Sequence, residues 1–205
     1  MGFFITFEGG EGSGKTIQAK ALLRKLMQAG TPVILTREPG GTEAGEKIAR
    51  LLKQLKEIEM APLTELLLFN ASRAQHINQV IKPNLEFGKV VICDRYTDST
   101  VTYQGYGRGL DLETVKTVND FATEGLKPDL TILMDVPPEE GLNRIKSRKK
   151  DRFEQEDIEF HRKIREGYLR LAADESERWL VVDATLSKER IKKIIWEKVS
   201  TLITK

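Results

Sequence analysis

The chain has little cysteine and no long apolar run. Its 205 residues include a single cysteine, Cys93, so an intramolecular disulfide is excluded. The apolar residues before Asp94 indicate that this thiol is buried and reduced. No charged N-terminal region precedes an apolar stretch, and no apolar run approaches the roughly 20 residues that cross a bilayer. We therefore expect a cytoplasmic protein with no membrane partner.

A large excess of charge of either sign is also missing. The 33 basic and 31 acidic residues leave a formal net charge of +2, so the whole chain lacks the strongly basic balance typical of nucleic-acid binding. Anions must be recognised locally, and we expect no nucleic-acid partner. With 40% apolar residues, the chain is long enough for one domain with a substantial core, and we predict a single domain over 1–205.

The chain does contain a complete phosphate-binding loop over residues 9–16, between an extended pattern over 3–8 and a helical pattern over 17–29. Glycines let successive backbone N–H groups face one anion, and the helix N-terminus adds its positive end. Lys15 would reach the β- and γ-phosphates of ATP, and the Thr16 hydroxyl would bind Mg²⁺. The residues expected to bind the donor are Gly9, Gly10, Glu11, Gly12, Ser13, Gly14, Lys15 and Thr16.

Extended and helical patterns alternate along the chain. Extended patterns lie over 3–8, 31–36, 89–93, 130–136 and 179–182. Helical patterns lie over 17–29, 43–55, 62–85, 112–124, 138–148, 156–173 and 187–202. Strands separated by helices imply parallel pairing through right-handed crossovers. We predict an α/β fold of the P-loop NTPase type, a three-layer structure in which helices flank a five-stranded parallel sheet.

Polar or charged segments follow four of the predicted strands, at 8–9, 37–38, 94–95 and Asp135. Ligands bind at the carboxyl ends of parallel strands, so these segments predict one shared cleft. Asp94 would hold Mg²⁺ or its water opposite the phosphate loop. Asp94 and Arg95 alone are more typical of a structural ion pair. Beside a phosphate loop, however, Arg95 and Arg37 indicate a second anion, because guanidinium groups grip phosphate oxygens.

An acceptor that already carries a phosphate determines the expected chemistry. It is ionised near neutral pH and needs no general base, whereas a hydroxyl acceptor usually needs a carboxylate to take its proton. Catalysis would then consist of aligning two phosphates and neutralising charge on the transferred group. The alternatives are a deoxynucleoside kinase, a nucleotide-dependent switch or binding module, and an RNA-binding protein. No N-K-x-D motif for guanine supports the switch.

A basic run over 144–152 follows the helix after the fourth strand. It could be an RNA-binding patch or a solvated helix end. The phosphate loop offers only acidic Glu11 at its variable positions, so further positive charge must come from elsewhere. We therefore interpret about 144–154 as a lid that brings arginines to the γ-phosphate.

Phe69 and Arg73 are spaced i, i+4 and share a helix face. A stacking ring beside a hydrogen-bond donor would suit a nucleobase, although the pair alone is more typical of a core residue next to a surface residue. Neither His76 nor His161 has neighbouring residues in the sequence with a spacing typical of metal ligands, and we expect both on helix surfaces.

Together these residues resemble the thymidylate kinase family over nearly the whole chain. The most specific segment follows the third strand, and the full set is Phe7-Glu8-Gly9 with the phosphate loop, 36–42, Phe69-x-x-x-Arg73, Asp94-Arg95-Tyr96-x-x-Ser99-x-x-x-Tyr103-Gln104-Gly105 and Arg152-Phe153-Glu154. The family transfers the γ-phosphoryl group of ATP to dTMP, with Mg²⁺, and gives dTDP for dTTP synthesis. It is homodimeric, so the resemblance implies a homodimer here, which the leucines at 66–68 would support.

The resemblance also implies roles in binding dTMP. Phe69 resembles the ring that stacks on thymine and Arg73 the donor to its O4 edge, while Ser99 and Gln104 lie around the base. At the other end of the nucleotide, Arg37 and Arg95 resemble the ligands of the acceptor phosphate. Tyr103 resembles the residue that crowds the sugar 2′ position, and Glu11 the loop carboxylate that faces the 3′-hydroxyl and metal waters.

Family members place a catalytic arginine either in the phosphate loop or in the lid. Gly12 and Ser13 resemble the bacterial type that uses the lid, with Arg148 as the first candidate and Arg152 as the second. Lid length varies in the family, so both stay open. Ile17 departs from the second hydroxyl residue of many members and implies one lost α-phosphate contact. The residues expected in catalysis are Lys15, Asp94, Arg148 and Arg152.

Overall fold

The structure, a computed structural model, describes residues 2–54, 59–147 and 150–203. In these ranges it has five strands, β1 Phe3–Glu8, β2 Val33–Arg37, β3 Val90–Asp94, β4 Leu130–Asp135 and β5 Trp179–Asp183. They form one sheet in the order β2-β3-β1-β4-β5, and every pair is parallel. The predicted α/β fold with a five-stranded parallel sheet is therefore confirmed.

Helices connect the strands and cover both faces of the sheet. Their bounds are α1 Lys15–Gln28, α2 Glu43–Gln54, α3 Pro62–His76, α4 Lys82–Glu86, α5 Thr97–Thr100, α6 Leu112–Thr123, α7 Pro138–Arg144, α8 Ile158–Asp174 and α9 Lys188–Ile203. A π-helical turn, Ile77–Ile81, joins α3 to α4, so the helical region predicted over 62–85 is one nearly continuous rod. A second π-helical segment, Val101–Gly107, extends α5. The sequence pattern predicted neither α5 nor this π-helical segment.

The apolar strands explain why the sheet is buried on both faces. Successive side chains of a strand point to opposite faces. Ile5 and Phe7 accordingly join a core cluster with Leu22 of α1, and Phe4 joins another with Ile77. A parallel sheet covered in this way presents its carboxyl ends as the accessible edge.

Tertiary contacts correct three expectations about buried residues. His76 and His161 were expected on helix surfaces, but both are buried, with exposed fractions of 0% and 4%. The His76 ring lies between Thr36 and Glu38 and forms a hydrogen bond with each. Leu66 lies in the core rather than at a surface, whereas its neighbour Leu67 is exposed. The expected buried free thiol of Cys93 is confirmed.

No helix among the described residues combines the length and the apolar character that crossing a membrane requires.

Candidate active site

A cleft of about 880 Å³ opens at the carboxyl ends of the strands. The register of the sheet forms it, because Phe7 of β1 and Arg37 of β2 both pair with Asp94 of β3. The phosphate loop lines one side. Every residue expected to bind the acceptor lines the same cleft, namely Glu11, Arg37, Phe69, Arg73, Arg95, Ser99, Tyr103 and Gln104.

The fourth strand does not contribute its terminal carboxylate to this cleft. Asp135 accepts two hydrogen bonds from Arg165 of α8, from Nε at 2.7 Å and from Nη2 at 2.8 Å. This bidentate pair ties β4 to α8. Asp135 therefore has a structural role, and Met134 beside it reaches the cleft instead.

The phosphate loop holds its lysine against its own backbone. Lys15 Nζ donates to the carbonyl oxygens of Gly9 at 3.0 Å and Gly10 at 2.7 Å, and to Ser13 Oγ at 3.2 Å. Burial and the nearby charge of Arg95 lower the pKa of Lys15 to about 8, against the opposite pull of the carboxylates around it. The ammonium thus lies inside the loop that would receive a phosphate.

Gly12 lets the loop approach α7 closely. Its φ of 68° lies in the left-handed region, and an added Cβ would lie 1.9 Å from the carbonyl oxygen of Gly141 in α7. Gly141 is equally restricted, because its Cβ would lie 2.2 Å from the carbonyl oxygen of Glu11. The two glycines therefore allow a backbone contact that no side chain could enter.

A hydroxyl and a carboxylate lie together beside the loop. The Thr16 hydroxyl donates to Oδ2 of Asp94, which joins the start of α1 to the end of β3. Both groups line the cleft. Hard oxygen donors of this kind are the ligands that Mg²⁺ prefers, so the donor set fits the metal that the sequence predicts.

Arg95 is the centre of the polar network between the loop and the acceptor side. Its Nη1 donates to the Gly9 carbonyl oxygen at 3.0 Å, and its Nη2 donates to Glu11 Oε1 at 2.7 Å and to Tyr103 Oη at 3.1 Å. Tyr103 in turn donates to Glu11 Oε1 at 2.6 Å. Burial alone would raise the pKa of Glu11, but the charges of Arg95 and Lys15 outweigh it and lower that pKa to about 2. The Glu11 carboxylate of the phosphate loop therefore pairs with the Arg95 guanidinium group, which is expected to bind the acceptor phosphate.

Arg37 is the more accessible of the two arginines. Its side chain is 55% exposed and forms an ion pair with Glu46 of α2, with Nη2 and Oε1 2.8 Å apart. The same Oε1 atom accepts from the backbone N–H of Gly41 at 3.0 Å. Arg37 therefore lines the cleft with an exposed side chain, and its ion-pair partner Glu46 is exposed as well. The guanidinium group of Arg95, in contrast, is held by several hydrogen bonds.

The far end of the cleft contains the residues expected around a base. The Phe69 ring lies 5.7 Å from the ring of Phe153, which belongs to the 3₁₀ turn Phe153–Gln155. Gln104 is buried and its Nε2 donates to Glu65 Oε1 at 2.6 Å. Ser99 Oγ donates to Glu8 Oε2 at 2.6 Å. These groups form the walls of a pocket with aromatic and hydrogen-bonding surfaces.

Arg73 lines this pocket, but every N–H of its guanidinium group already has a partner. The side chain is 1% exposed. Its five N–H groups donate to Glu38 Oε2, Asn70 Oδ1, Asn119 Oδ1, the Tyr96 carbonyl oxygen and Thr100 Oγ1. A base oxygen would have to share one of these donors. Arg73 is thus also a structural link between α3, α5 and α6.

Comparison with known proteins agrees with this geometry. The family profile described as thymidylate kinase matches residues 7–195. A thymidylate kinase from Dehalococcoides mccartyi is 54% identical over 203 residues, which are 99% of this chain and 98% of that protein. The chain belongs to the thymidylate kinase family.

Further relatives of the thymidylate kinase family support the same conclusion. The thymidylate kinase of Geotalea uraniireducens strain Rf4 is 51% identical, with 90% of each chain covered. The crystal structure of thymidylate kinase from Ehrlichia chaffeensis matches with a TM-score of 0.77 at 35% identity and covers 98% of both chains. The predicted family is therefore confirmed.

The predicted lid arginines of this thymidylate kinase family member lie in different places. Arg144 reaches the phosphate loop, since its Nη1 is 3.5 Å from the Gly12 carbonyl oxygen and its Nη2 donates to the Ala184 carbonyl oxygen at 2.9 Å. Arg148 lies outside the described residues. Arg152 pairs with Glu65 of α3 and donates to the Leu52 carbonyl oxygen at 3.2 Å, so the structure does not bring it to the phosphate loop.

Two buried residues, Glu8 and Tyr168, support the cleft from behind Ser99; the sequence placed the segment 8–9 at the cleft but assigned neither side chain a role of its own. Glu8 is fully buried and accepts hydrogen bonds from the Tyr96 backbone N–H at 2.7 Å, Ser99 Oγ at 2.6 Å and Tyr168 Oη at 2.8 Å. A glutamate that ends an apolar strand is a local signal for such a role. Tyr168 lies in the middle of α8 and has no comparable signal, because only the fold brings it to β1.

Glu8 provides a prediction about pH. Burial and the charge of Asp98 raise the pKa of Glu8 from 4.5 to about 7. A carboxyl group with a raised pKa in the folded state stabilises that state at low pH, and this contribution is lost as the pH rises through 7. Between about pH 4 and pH 8, the free energy of unfolding of the wild type should therefore fall by about 3 kcal/mol relative to Glu8→Gln. Denaturant titrations of both proteins across this range would check it, and parallel profiles would contradict it.

Proposed function

We propose that this chain transfers the γ-phosphoryl group of ATP to dTMP, giving ADP and dTDP for dTTP synthesis. The observation that carries the proposal is the arrangement of a single cleft. A phosphate loop lies at one end, a pocket of aromatic and amide side chains at the other, and Arg95 lies between them. This order matches a triphosphate donor facing a monophosphate acceptor, and membership of the thymidylate kinase family supports the choice of dTMP.

In the proposed mechanism, Lys15 and the loop N–H groups hold the β- and γ-phosphates of ATP. The guanidinium groups of Arg95 and Arg37 bind the phosphate of dTMP. An acceptor phosphate oxygen attacks the γ-phosphorus, and the bond to the β-phosphate oxygen breaks as ADP leaves. The acceptor oxygen is already ionised, so no side chain has to remove a proton.

Acceptor binding would exchange the partners of Arg95. Its fork now pairs with Glu11, so the incoming phosphate must displace that carboxylate. Glu11 would then be free to face the sugar 3′-hydroxyl, as the family resemblance implies. Tyr103 forms hydrogen bonds with both Glu11 and Arg95, which supports the role implied by the family resemblance, that it would crowd a ribose 2′-hydroxyl.

Thr16 and Asp94 would hold Mg²⁺ as part of the same proposal. The metal, when bound, supplies positive charge to the phosphate oxygens of the donor. Asp94 would be its carboxylate ligand, and the hydrogen bond between the two side chains supports this assignment. Further positive charge would come from a lid over about 144–154 of a single-domain enzyme, through Arg144, Arg148 or Arg152.

A homodimer in the cytoplasm completes the proposal. Leu63 and Leu67 of α3 are each 51% exposed, and Phe121 of α6 is 89% exposed. These two helices are in contact, and exposed apolar side chains on neighbouring helices suit a second copy of the chain. The free Cys93 thiol agrees with a reducing compartment. Sedimentation of the purified protein would test the dimer.

The proposed activity is tested by measuring ADP release from ATP and Mg²⁺ with each nucleoside monophosphate, and with thymidine as the hydroxyl acceptor. We expect turnover with dTMP well above that with dCMP, the ribonucleotide UMP and thymidine. Turnover with thymidine but not with dTMP would overturn the proposal and indicate a deoxynucleoside kinase. No turnover with any acceptor would favour a nucleotide-binding module.

A further inference from the structure

A buried carboxylate lies behind the base pocket and has no role in the chemistry described so far. Glu65 of α3 is 0% exposed. Its Oε1 accepts from Gln104 Nε2 at 2.6 Å and from Arg108 Nε at 3.3 Å, and its Oε2 pairs with Arg152. Glu65 does not line the cleft, whereas Gln104 does.

We propose that Glu65 is a positioning residue that fixes the orientation of the Gln104 carboxamide and so makes the base pocket accept thymine and reject cytosine. The proposal rests on the proposed function, since it assigns a base to the far end of the cleft. It concerns a residue that would act through Gln104 without touching the nucleotide.

The orientation follows from the hydrogen-bonding capacity of the two groups. A carboxylate paired with two guanidinium groups offers only acceptors, so the side of Gln104 that meets Glu65 has to be its NH₂ group. Gln104 is 1% exposed, and a reversed amide would place its carbonyl oxygen 2.6 Å from a buried carboxylate oxygen. Such a contact is strongly unfavourable. The carbonyl oxygen Oε1 is therefore the atom that Gln104 offers to the cleft.

An acceptor at this place distinguishes pyrimidine bases. Thymine and uracil carry a hydrogen-bond donor at N3, whereas cytosine carries a lone pair there. A thymine N3–H that faces Gln104 Oε1 donates a hydrogen bond to it. A cytosine in the same place would set its N3 lone pair against Gln104 Oε1, so that two acceptors would face each other. Arg73, on the neighbouring wall, offers no acceptor for the cytosine amino group. Sites that hydrogen-bond a substrate reject analogues that leave buried groups unpaired.

The saturation of Arg73 strengthens the assignment to Gln104. All five Arg73 N–H groups have protein partners, so this residue can contribute only a shared donor. The NH₂ group of Gln104 is bound to Glu65, whereas no group of the described residues forms a hydrogen bond with its side-chain carbonyl oxygen. The discriminating contact thus depends on a group whose orientation Glu65 sets.

The test compares Glu65→Gln with the wild type. A glutamine at this position can donate to Gln104 Oε1 and turn the Gln104 NH₂ group toward the cleft. We expect the preference for dTMP over dCMP to fall at least about tenfold, both in kcat/KM and in calorimetric binding without ATP, with dCMP improving as dTMP weakens. If the Glu65→Gln protein folds and prefers dTMP over dCMP as strongly as the wild type does, the proposal is overturned.

Glu156→Gln is the matched control. Glu156 pairs with the same Arg108, with its Oε1 2.7 Å from Nη2, whereas the hydrogen bond of the Gln104 amide goes to Glu65. If Glu65 were only structural, both variants would weaken dTMP and dCMP in the same proportion, whereas the proposal expects the preference to change in Glu65→Gln alone. If Glu65→Gln does not fold, Glu65→Asp decides: its shorter carboxylate keeps the charge but withdraws from Gln104, so a lost preference supports the proposal and a retained one overturns it.

The binding measurement separates this proposal from the proposed function. A wild type that binds dTMP but does not phosphorylate it would refute the kinase assignment, and the two variants would still test Glu65. A wild type that phosphorylates dTMP while Glu65→Gln keeps its base preference would refute only the role of Glu65.

Discussion

Replacement of Lys15 by alanine should lower kcat by about 10³-fold, because it removes the one ammonium group inside the phosphate loop. Charge on the transferred phosphoryl group develops in the transition state, and a preorganised cation stabilises it more than the ground state. A loss of this size corresponds to about 4 kcal/mol of transition-state stabilisation. The fold should persist, since the Gly9 carbonyl oxygen keeps the hydrogen bond from Arg95 Nη1 and Gly10 is partly exposed, so that water can reach it.

Single-turnover kinetics with saturating ATP and dTMP would measure the Lys15→Ala effect, and circular dichroism would check the fold. Lys20→Ala is a suitable control, because Lys20 is an exposed lysine of the same helix. It should leave kcat unchanged. A Lys15→Ala protein with a kcat within about tenfold of the wild type would show that Lys15 does not contact the transferred group.

Arg95→Lys should have the second-largest effect, a loss of about 10²-fold in kcat/KM for dTMP with little change in the KM for ATP. A lysine keeps the positive charge but cannot form the fork that now binds Glu11 Oε1, Tyr103 Oη and the Gly9 carbonyl oxygen. The backbone of residue 95 has a φ of 73°, and lysine tolerates it no worse than arginine does. The loss should therefore come from the side chain.

Steady-state kinetics with dTMP varied at saturating ATP would measure the Arg95→Lys effect. Arg170→Lys provides a control for the exchange itself, because Arg170 is exposed and pairs only locally with Glu166 among its described ion pairs. An unchanged KM and kcat for dTMP in Arg95→Lys would remove Arg95 from the acceptor site. A larger KM for ATP alone would assign it to the donor.

The sequence predicted the parts of the fold and the site that depend on local patterns. The phosphate loop is one contiguous motif, so its glycines, Lys15 and Thr16 could be assigned before any contact was known. Asp94 and Arg95 follow an apolar strand, and parallel strands bring their carboxyl ends to one edge. The residues expected at the cleft could therefore be predicted without knowledge of the strand order, and they do line it.

Other features depend on contacts between distant segments and left no local pattern. Glu8 and Tyr168 are 160 positions apart and meet only because α8, which packs against β4 and β5, brings Tyr168 to the end of β1. His76 looks like an ordinary helical histidine in the sequence, yet its partners Thr36 and Glu38 come from the end of β2 and the loop after it. Arg73 looks like a free donor on a helix face until α5 and α6 supply its acceptors. Burial of polar groups is a property of the tertiary structure and could not be predicted from spacing.

The facing glycines at positions 12 and 141 restrict how this enzyme can evolve. A side chain at position 12 would meet the α7 backbone at 1.9 Å, so an arginine cannot arise there by one substitution in an otherwise unchanged protein. A lineage that gained a side chain at position 12 would have had to shift α7 as well. The two positions should therefore change together across related sequences.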